Sequence, residues 1–341
     1  MRRHGNLWDK ITSSENLHAA YSKAIIGKSK MRSIQKFNLD VDSNLEAIRK
    51  SLVEKTFTTS PYTEKMVYEP KQRIIYALPF SPDRIVQHAL MRIIQPIWEG
   101  LFIHDSYACR TGKGIHSGSR RTMQFVRRNK YALKCDISKF YPSVDHDIFL
   151  RIVKKKIKCR DTLWLIEDIV RSFPGGKNVP IGNYTSQWFG NLYLNELDQY
   201  VKVDLQRLFG HIDYVRYCDD FCLFHDDKKV LHECANLMRE FLDSRLALRF
   251  SKCNVFPVSH GVDFLGYRHF NNYILLRKST TKRVRRRLER LSRQYADGQI
   301  TAEQYRSSVG STWGWLKHAN SHNLMVSLRY HDLMREVKKL A

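Results

Sequence analysis

Tyr214-Val215-Arg216-Tyr217-Cys218-Asp219-Asp220-Phe221-Cys222-Leu223-Phe224 sets two consecutive carboxylates in the middle of an apolar, aromatic stretch. The residues on either side read as two strands, and the acidic pair as the tight turn that joins them. A polar hairpin turn is one explanation for that pair. A cation site is the other, because adjacent carboxylates repel one another unless positive charge sits among them. On this stretch alone both readings stand.

A third acid lies upstream. Tyr131-Ala132-Leu133-Lys134-Cys135-Asp136-Ile137 reads as a short strand ending on a carboxylate. Two divalent cations held about 4 Å apart must share ligands carried on rigid elements. Such ions are hard and take oxygen donors. A strand ending at Asp136, laid beside a hairpin presenting Asp219 and Asp220, would meet that requirement.

Around these strands the pattern alternates between helix and sheet. Apolar spacing predicts helices at Ser14 to Ile26 and Asn44 to Leu52, and Lys65 to Pro79 is β-rich. Residues 82–97 are helical in pattern, with Ser81-Pro82 as N-cap and first-turn proline. Asp145 is placed to cap a helix from His146 to Ile157, with Asp147 in its first turn. Ser186 to Val201 reads as an amphipathic helix carrying Trp188, Phe189, Leu192, Leu197 and Val201. No internal repeat or low-complexity linker interrupts the chain. The fold class is α+β.

The charge balance points to a polyanion. Lys and Arg total 58 against 34 Asp and Glu, a formal net charge of +24 on 341 residues. That excess costs stability through self-repulsion unless a partner neutralises it, and nucleic acid is the commonest such partner. No apolar run approaches the ~18 residues a bilayer span needs, and the first residues carry no signal-peptide core. Seven cysteines stand singly without a Cys-x-x-Cys. A disulfide framework or zinc site is therefore not expected, Cys218 and Cys222 read as small buried side chains, and the setting reads as reducing and cytoplasmic. Nine Lys and Arg crowd Arg277 to Arg293 beside a single acid, Glu289. Ile300 to Leu340 reads as two further helices, with Trp313, Trp315 and His318 as core on one helix face.

Several blocks together resemble reverse transcriptases. Tyr217-Cys218-Asp219-Asp220 resembles their Tyr-x-Asp-Asp box, and Asp136-Ile137-Ser138-Lys139-Phe140-Tyr141 the first acid with its aromatic segment. Asp83 to Leu90 and Ser106 to His116 are similar to finger motifs of the bacterial enzymes. Asn191 to Asp198 and Phe264-Leu265-Gly266-Tyr267 are similar to later palm blocks. All fall in the family order over roughly residues 65–270. One departure narrows the likeness. Most bacterial members carry Gln-Gly…Ser-Pro where this chain has Ile181-Gly182…Ser186-Gln187. That pattern resembles the reverse transcriptases of diversity-generating retroelements, which copy a template-repeat RNA into cDNA with frequent errors opposite adenine.

The resemblance implies a right-hand polymerase. Fingers with N-terminal helices would occupy 1–115, a palm 116–275 and a basic helical thumb 276–341. It implies Asp136, Asp219, Asp220 and the Ile137 carbonyl as ligands of two Mg²⁺ (or Mn²⁺) ions. It marks Tyr141 as a steric gate against ribose and Ile181 as the residue that relaxes base selection. Arg73, Arg110, Gly182, Gln187 and Lys252 would lie at the deoxynucleoside triphosphate, and Arg283, Arg286, Arg287 and Arg290 along the template–primer backbone. Template RNA, cDNA and a small basic accessory protein are the implied partners, with no membrane. An enzyme of a group II intron, retron or defence system is the alternative, and a non-catalytic RNA-binding protein a more distant one.

Overall fold

The computed structural model describes residues 3–68 and 72–339. It opens on helices α1 (Trp8–Thr12), α2 (Ser14–Ala24), α3 (Arg32–Phe37) and α4 (Val41–Val53). Ser13 accepts the Asn16 amide and Asp40 the Ser43 amide, so two helix starts have their open N–H groups met by side chains. Strands β1 (Thr63–Val67) and β2 (Arg73–Ala77) pair antiparallel with Thr63 opposite Ala77. They fill the β-rich piece predicted at 65–79. Residues 69–71 of that piece lie outside the described residues, as do Met1, Arg2 and Leu340. Ser81 is extended, and from Pro82 the chain passes through a wide turn into α5 (Ile85–Glu99).

Next come α6 (Ile115–Arg128), β3 (Tyr131–Ile137), α7 (Phe140–Ser143), α8 (His146–Lys154), α9 (Arg160–Arg171) and α10 (Tyr184–Gln199). Asp145 caps α8 as predicted, accepting the amides of Asp147 and Ile148. The helix stops at Lys154, three residues short of the expected end. The amphipathic reading of α10 needs correction. Its apolar residues are buried, but so are Asn191, Asn195 and Asp198. The helix is enclosed over most of its surface, with Gln187 and Gln199 exposed, which apolar spacing alone does not reveal.

The remainder runs α11 (Gln206–Phe209), β4 (Asp213–Tyr217), β5 (Asp220–His225), α12 (Lys228–Leu246), β6 (Phe250–Pro257), β7 (Val262–Phe264), β8 (Tyr267–His269) and β9 (Ile274–Leu276). It closes on α13 (Lys278–Ala296), α14 (Ala302–His318), α15 (His322–Ser327) and α16 (Tyr330–Lys339). Three helices therefore follow α13, where two were expected. The chain turns extended at Ala319, which ends α14 and makes room for the short α15.

The chain divides into two compact bodies. The first holds Met1–His104, Asp136–Arg207 and Asn236–Lys252; the second holds Asp105–Cys135, Leu208–Ala235 and Cys253–Ala341. Strands β4, β5, β3 and β6 form one sheet in that order. The division falls between Cys135 and Asp136 in β3 and between Lys252 and Cys253 in β6, while β4 and β5 belong wholly to the second body. In the second body, α6 covers the sheet through Phe125 and Val126, which pack with Ala132, Val215, Cys222 and Phe224. A separate cluster there joins Tyr267 and Leu276 to Val284, Leu288, Tyr305, Val309 and Tyr330 of the last helices.

The core reading of the α14 aromatics holds for two residues and fails for the third. Trp315 stacks on Tyr267 at 5.4 Å and His318 on His116 at 4.5 Å. Trp313 is 40% exposed. Residues two apart on a helix point about 200° away from one another, so Trp313 and Trp315 do not share a face. None of the seven cysteines is in a disulfide. Among the described residues no helix is long and apolar enough to cross a membrane.

Candidate active site

In the second body β4 and β5 pair antiparallel, Asp213 opposite Phe224 and Tyr217 opposite Asp220. Cys218 and Asp219 form the turn, and Cys218 has a left-handed backbone (φ 53°). Asp219 thus occupies the turn itself, whereas Asp220 is the first residue of β5; both are half-buried. The Lys134 ammonium on β3 stands 3.5 Å from an Asp220 oxygen and offsets part of its charge. Arg216 holds the turn from inside. Its side chain is wholly buried, it donates to the Cys218 carbonyl at 3.0 Å, and its backbone bonds to Asp105 and Tyr107 on both edges. A hydrogen bond that Cys218 donates to Cys109, together with burial, pushes the Cys218 thiol well up. Arg110 is half-buried, and its guanidinium donates one hydrogen bond to the Ser106 carbonyl at 3.0 Å.

In the first body Asp136 is half-buried and Ile137 is in the core. Ser251 donates to an Asp136 carboxylate oxygen at 2.6 Å and to its backbone carbonyl at 3.1 Å. Lys252 is exposed next to Ser251 on β6. Tyr141 lies on α7, where its carbonyl accepts the Val179 amide. Its ring packs against Phe140 and over Gly190 of α10; a β-carbon on Gly190 would come within 2.9 Å of the Phe140 ring and 3.2 Å of Tyr141. Gly190 is what lets the aromatic pair settle there.

Ile181 and Gly182 form a loop against β2. The Tyr76 amide donates to the Ile181 carbonyl at 2.9 Å. Gly182 has φ 128°, and a β-carbon there would fall 2.4 Å from the Tyr76 oxygen. Arg73 is exposed at the start of β2, Ile181 is half-buried, and Gln187 is exposed on α10. The structure therefore draws together Ile181, Gly182 and β2, and separately Asp136 and Ser251. Sequence reasoning passed over Arg216, Ser251, Gly190 and Arg84.

On α13, Val284, Leu288 and Leu291 are buried while Arg283, Arg286, Arg287 and Arg290 are exposed. Arg287 turns back to α14, donating to the Ser308 carbonyl and the Ser311 hydroxyl. Arg283, Arg286 and Arg290 fall within about 60° of one another around the helix and make a single stripe.

Hard cations prefer carboxylate oxygens, and the donor type at Asp136, Asp219 and Asp220 fits them. Among the described residues no three His, Cys, Asp or Glu side chains are gathered for a metal ion.

Comparison with known proteins identifies the family. The model of the reverse transcriptase (RNA-dependent DNA polymerase) family matches residues 64–269. The chain is similar to protein YkfC of Escherichia coli K12, 25% identical over 61% of this chain and 67% of that protein. It is similar to the retron Ec73 reverse transcriptase of Escherichia coli, 25% identical over 65% of this chain and 72% of the relative. It is also 21% identical to the group II intron-encoded protein LtrA of Lactococcus lactis, over 62% of this chain but only 38% of LtrA. The family match covers more than half the chain and takes in every acid of the candidate site, so this chain belongs to the reverse transcriptases and is an RNA-directed DNA polymerase.

Proposed function

We propose that this polymerase makes error-prone cDNA from a template-repeat RNA in a diversity-generating retroelement. One observation carries the reading. Ile181 stands where a hydrogen-bonding glutamine is usual, in a loop whose carbonyl is tied to Tyr76. What the loop offers is therefore an aliphatic wall. Discrimination by an apolar wall is weak, whereas discrimination by hydrogen bonds that a wrong partner leaves unmade is strong. Gln187 in place of proline supports the same reading.

Asp136, Asp219, Asp220 and the Ile137 carbonyl would hold two Mg²⁺ or Mn²⁺ ions, which activate the attacking hydroxyl and neutralise the leaving pyrophosphate when bound. Tyr141 excludes the ribose 2′-hydroxyl by bulk. Arg73 grips the triphosphate, with Arg110, Gly182, Gln187 and Lys252 around the nucleotide. Arg283, Arg286 and Arg290, with Arg287 at their edge, follow the template–primer backbone without reading sequence. In this reading residues 1–115 supply fingers, 116–275 a palm and 276–341 a thumb, and a small basic accessory protein joins the complex.

The test is cDNA synthesis on an RNA template by the wild type and by Ile181→Gln, with sequencing of errors opposite each base. Errors concentrated at adenine that fall in the variant support the proposal; identical spectra overturn the role of Ile181. Asp219→Ala and Asp220→Ala should each abolish primer extension with Mg²⁺, and retained activity would put the metals elsewhere. The likeness to a retron enzyme over 72% of its length favours a second reading, another bacterial retroelement. Accurate copying of adenine by the wild type would decide for it.

A further inference from the structure

A second basic surface lies in the first body, on residues 151–160. Arg151, Lys154, Lys155, Lys156, Lys158 and Arg160 fall within ten residues at the end of α8 and the start of α9. All are exposed except Lys156, which is half-buried. Two acids stand among them and both are engaged: Asp161 pairs with Lys55 at 3.0 Å, and Glu196 with Lys155. Among the described residues Lys154, Lys156, Lys158 and Arg160 form no ion pair, while Arg151 shares the charge of Asp147 with Arg171.

The segment is built rather than loose. Ile157 is fully buried. The His4 amide donates to the Lys156 carbonyl at 2.7 Å and the Lys158 amide to the His4 carbonyl at 2.8 Å. This clip fixes the backbone of the lysines and brings exposed Arg3 alongside. Beneath it, Lys55 sits 3.3 Å over the Trp8 ring, which meets Trp164 edge-on.

Local structure accounts for only part of this charge. Arg151 and Lys154 suit the last turn of α8, where the helix dipole favours cations. Lys156 and Lys158 lie beyond the helix, and Arg160 opens α9, where the dipole disfavours a cation. On a chain of net charge +24 such a cluster raises self-repulsion unless a polyanion covers it. The α8 cap, Asp145, follows directly on the Tyr141 segment, and nine helical residues put the cluster about 14 Å further along the axis.

We propose that this surface binds the phosphate backbone of RNA outside the stretch being copied. The polymerase activity enters only in choosing RNA as the partner, and short-template extension reports that activity separately. Each phosphate contact releases counterions, so the contribution of the surface is readable as a salt dependence.

The experiment uses the full chain with Lys154, Lys156, Lys158 and Arg160 all changed to Gln, and a second variant with the three lysines changed to Arg. Two probes are compared over a salt series: a long folded RNA, and a short primer–template oligonucleotide. The Gln variant should bind the folded RNA about tenfold or more weakly, with the slope of log K against log salt reduced by about 3. The Arg variant should bind as the wild type does. Short-template extension should be unchanged. An unaltered slope for the folded RNA overturns the proposal. So does a parallel loss of short-template extension, which would place these residues on the copying channel. Loss of binding only to anionic vesicles or an acidic protein, with RNA binding intact, overturns it as well.

Discussion

The Arg84 guanidinium donates to the carbonyl of Gly182 at 3.0 Å, one residue beyond Ile181. It is one of several ties on that loop. Asn183 donates to the Tyr62 hydroxyl, the Tyr184 amide to Gln87, and the Tyr184 ring stacks on His88 at 3.9 Å. Arg84, Gln87 and His88 are three and four residues apart, so one face at the start of α5 holds residues 182–184. The helix thus fixes the loop that carries Ile181.

Arg84 is therefore a positioning residue. A hydrogen bond from a charged donor contributes about 1.5–3 kcal/mol. Arg84→Met should raise KM for deoxynucleotides roughly tenfold or more, alter the error spectrum, and change kcat less. Arg84→Lys keeps a donor and should recover most of the loss. Steady-state kinetics with error sequencing checks this; a lowered Tm with unchanged KM and errors would leave Arg84 a purely structural residue.

Gly182 is the second point of control. Its φ of 128° suits glycine alone, and an added β-carbon would meet the Tyr76 oxygen at 2.4 Å, a backbone atom that cannot swing aside. Gly182→Ala should cost on the order of 2 kcal/mol or more and detach the loop from β2. Thermal unfolding reads the stability, and KM for nucleotide reads the detachment. A variant with wild-type values of both would show that the loop relaxes freely.

Much of this site was legible because its signals are local. The β4–β5 hairpin, the strand ending at Asp136 and the Asp145 cap each announce themselves within about ten residues. The ties on the 181–184 loop join it to residues about 100 positions earlier, and no local pattern encodes such a meeting. One trace was present: Arg84, Gln87 and His88 put three polar groups on one face at the largely apolar start of the helix. The enclosure of α10 and the complete burial of Arg216 were hidden for the opposite reason. Polar residues are ordinarily assigned to surfaces, and only tertiary partners overrule that.

Asp213 begins the strand that leads to Asp219, and it is almost fully buried. Burial alone would raise its pKa. Hydrogen bonds from Arg128, Asn129 and His211 outweigh burial and hold the carboxyl below its usual range. A carboxyl with a depressed folded pKa stabilises the protein above the ordinary value near ~3.9 and loses that contribution as pH falls through the folded one. Asp213→Asn should cost on the order of 2 kcal/mol at neutral pH, less than for a fully enclosed pair because Arg128 is half exposed. The gap in Tm between variant and wild type should close below about pH 4. A gap that persists in acid would mean that shape, not charge, makes Asp213 matter.

His269 offers the opposite residue type with the same acid sensitivity. Its Nδ1 faces the Val262 carbonyl, so that nitrogen carries the proton and Nε2 is left to accept from Ser119 at 2.7 Å. Ser119 in turn accepts from Nε2 of His318 at 2.8 Å. With these roles the His269 ring is neutral, since its Nε2 must keep a lone pair for Ser119. Burial, against a weaker opposing bond to Val262, lowers the His269 pKa to about 4; Asp263, Lys134 and His318 are the charged or titratable groups near it. Burial, helped by His116 and Arg120, takes His318 to about 4 as well. A histidine with a depressed folded pKa contributes fully above its unfolded value near ~6.5, and that contribution drains away as pH falls towards 4. For the enclosed His269 the loss is roughly 3 kcal/mol across that window. The wild type should therefore lose Tm between pH 6.5 and 4 more steeply than His269→Gln, which has no proton to gain. Parallel slopes would put the acid sensitivity in other groups and leave this chain of hydrogen bonds a neutral strut between α6, β8 and α14.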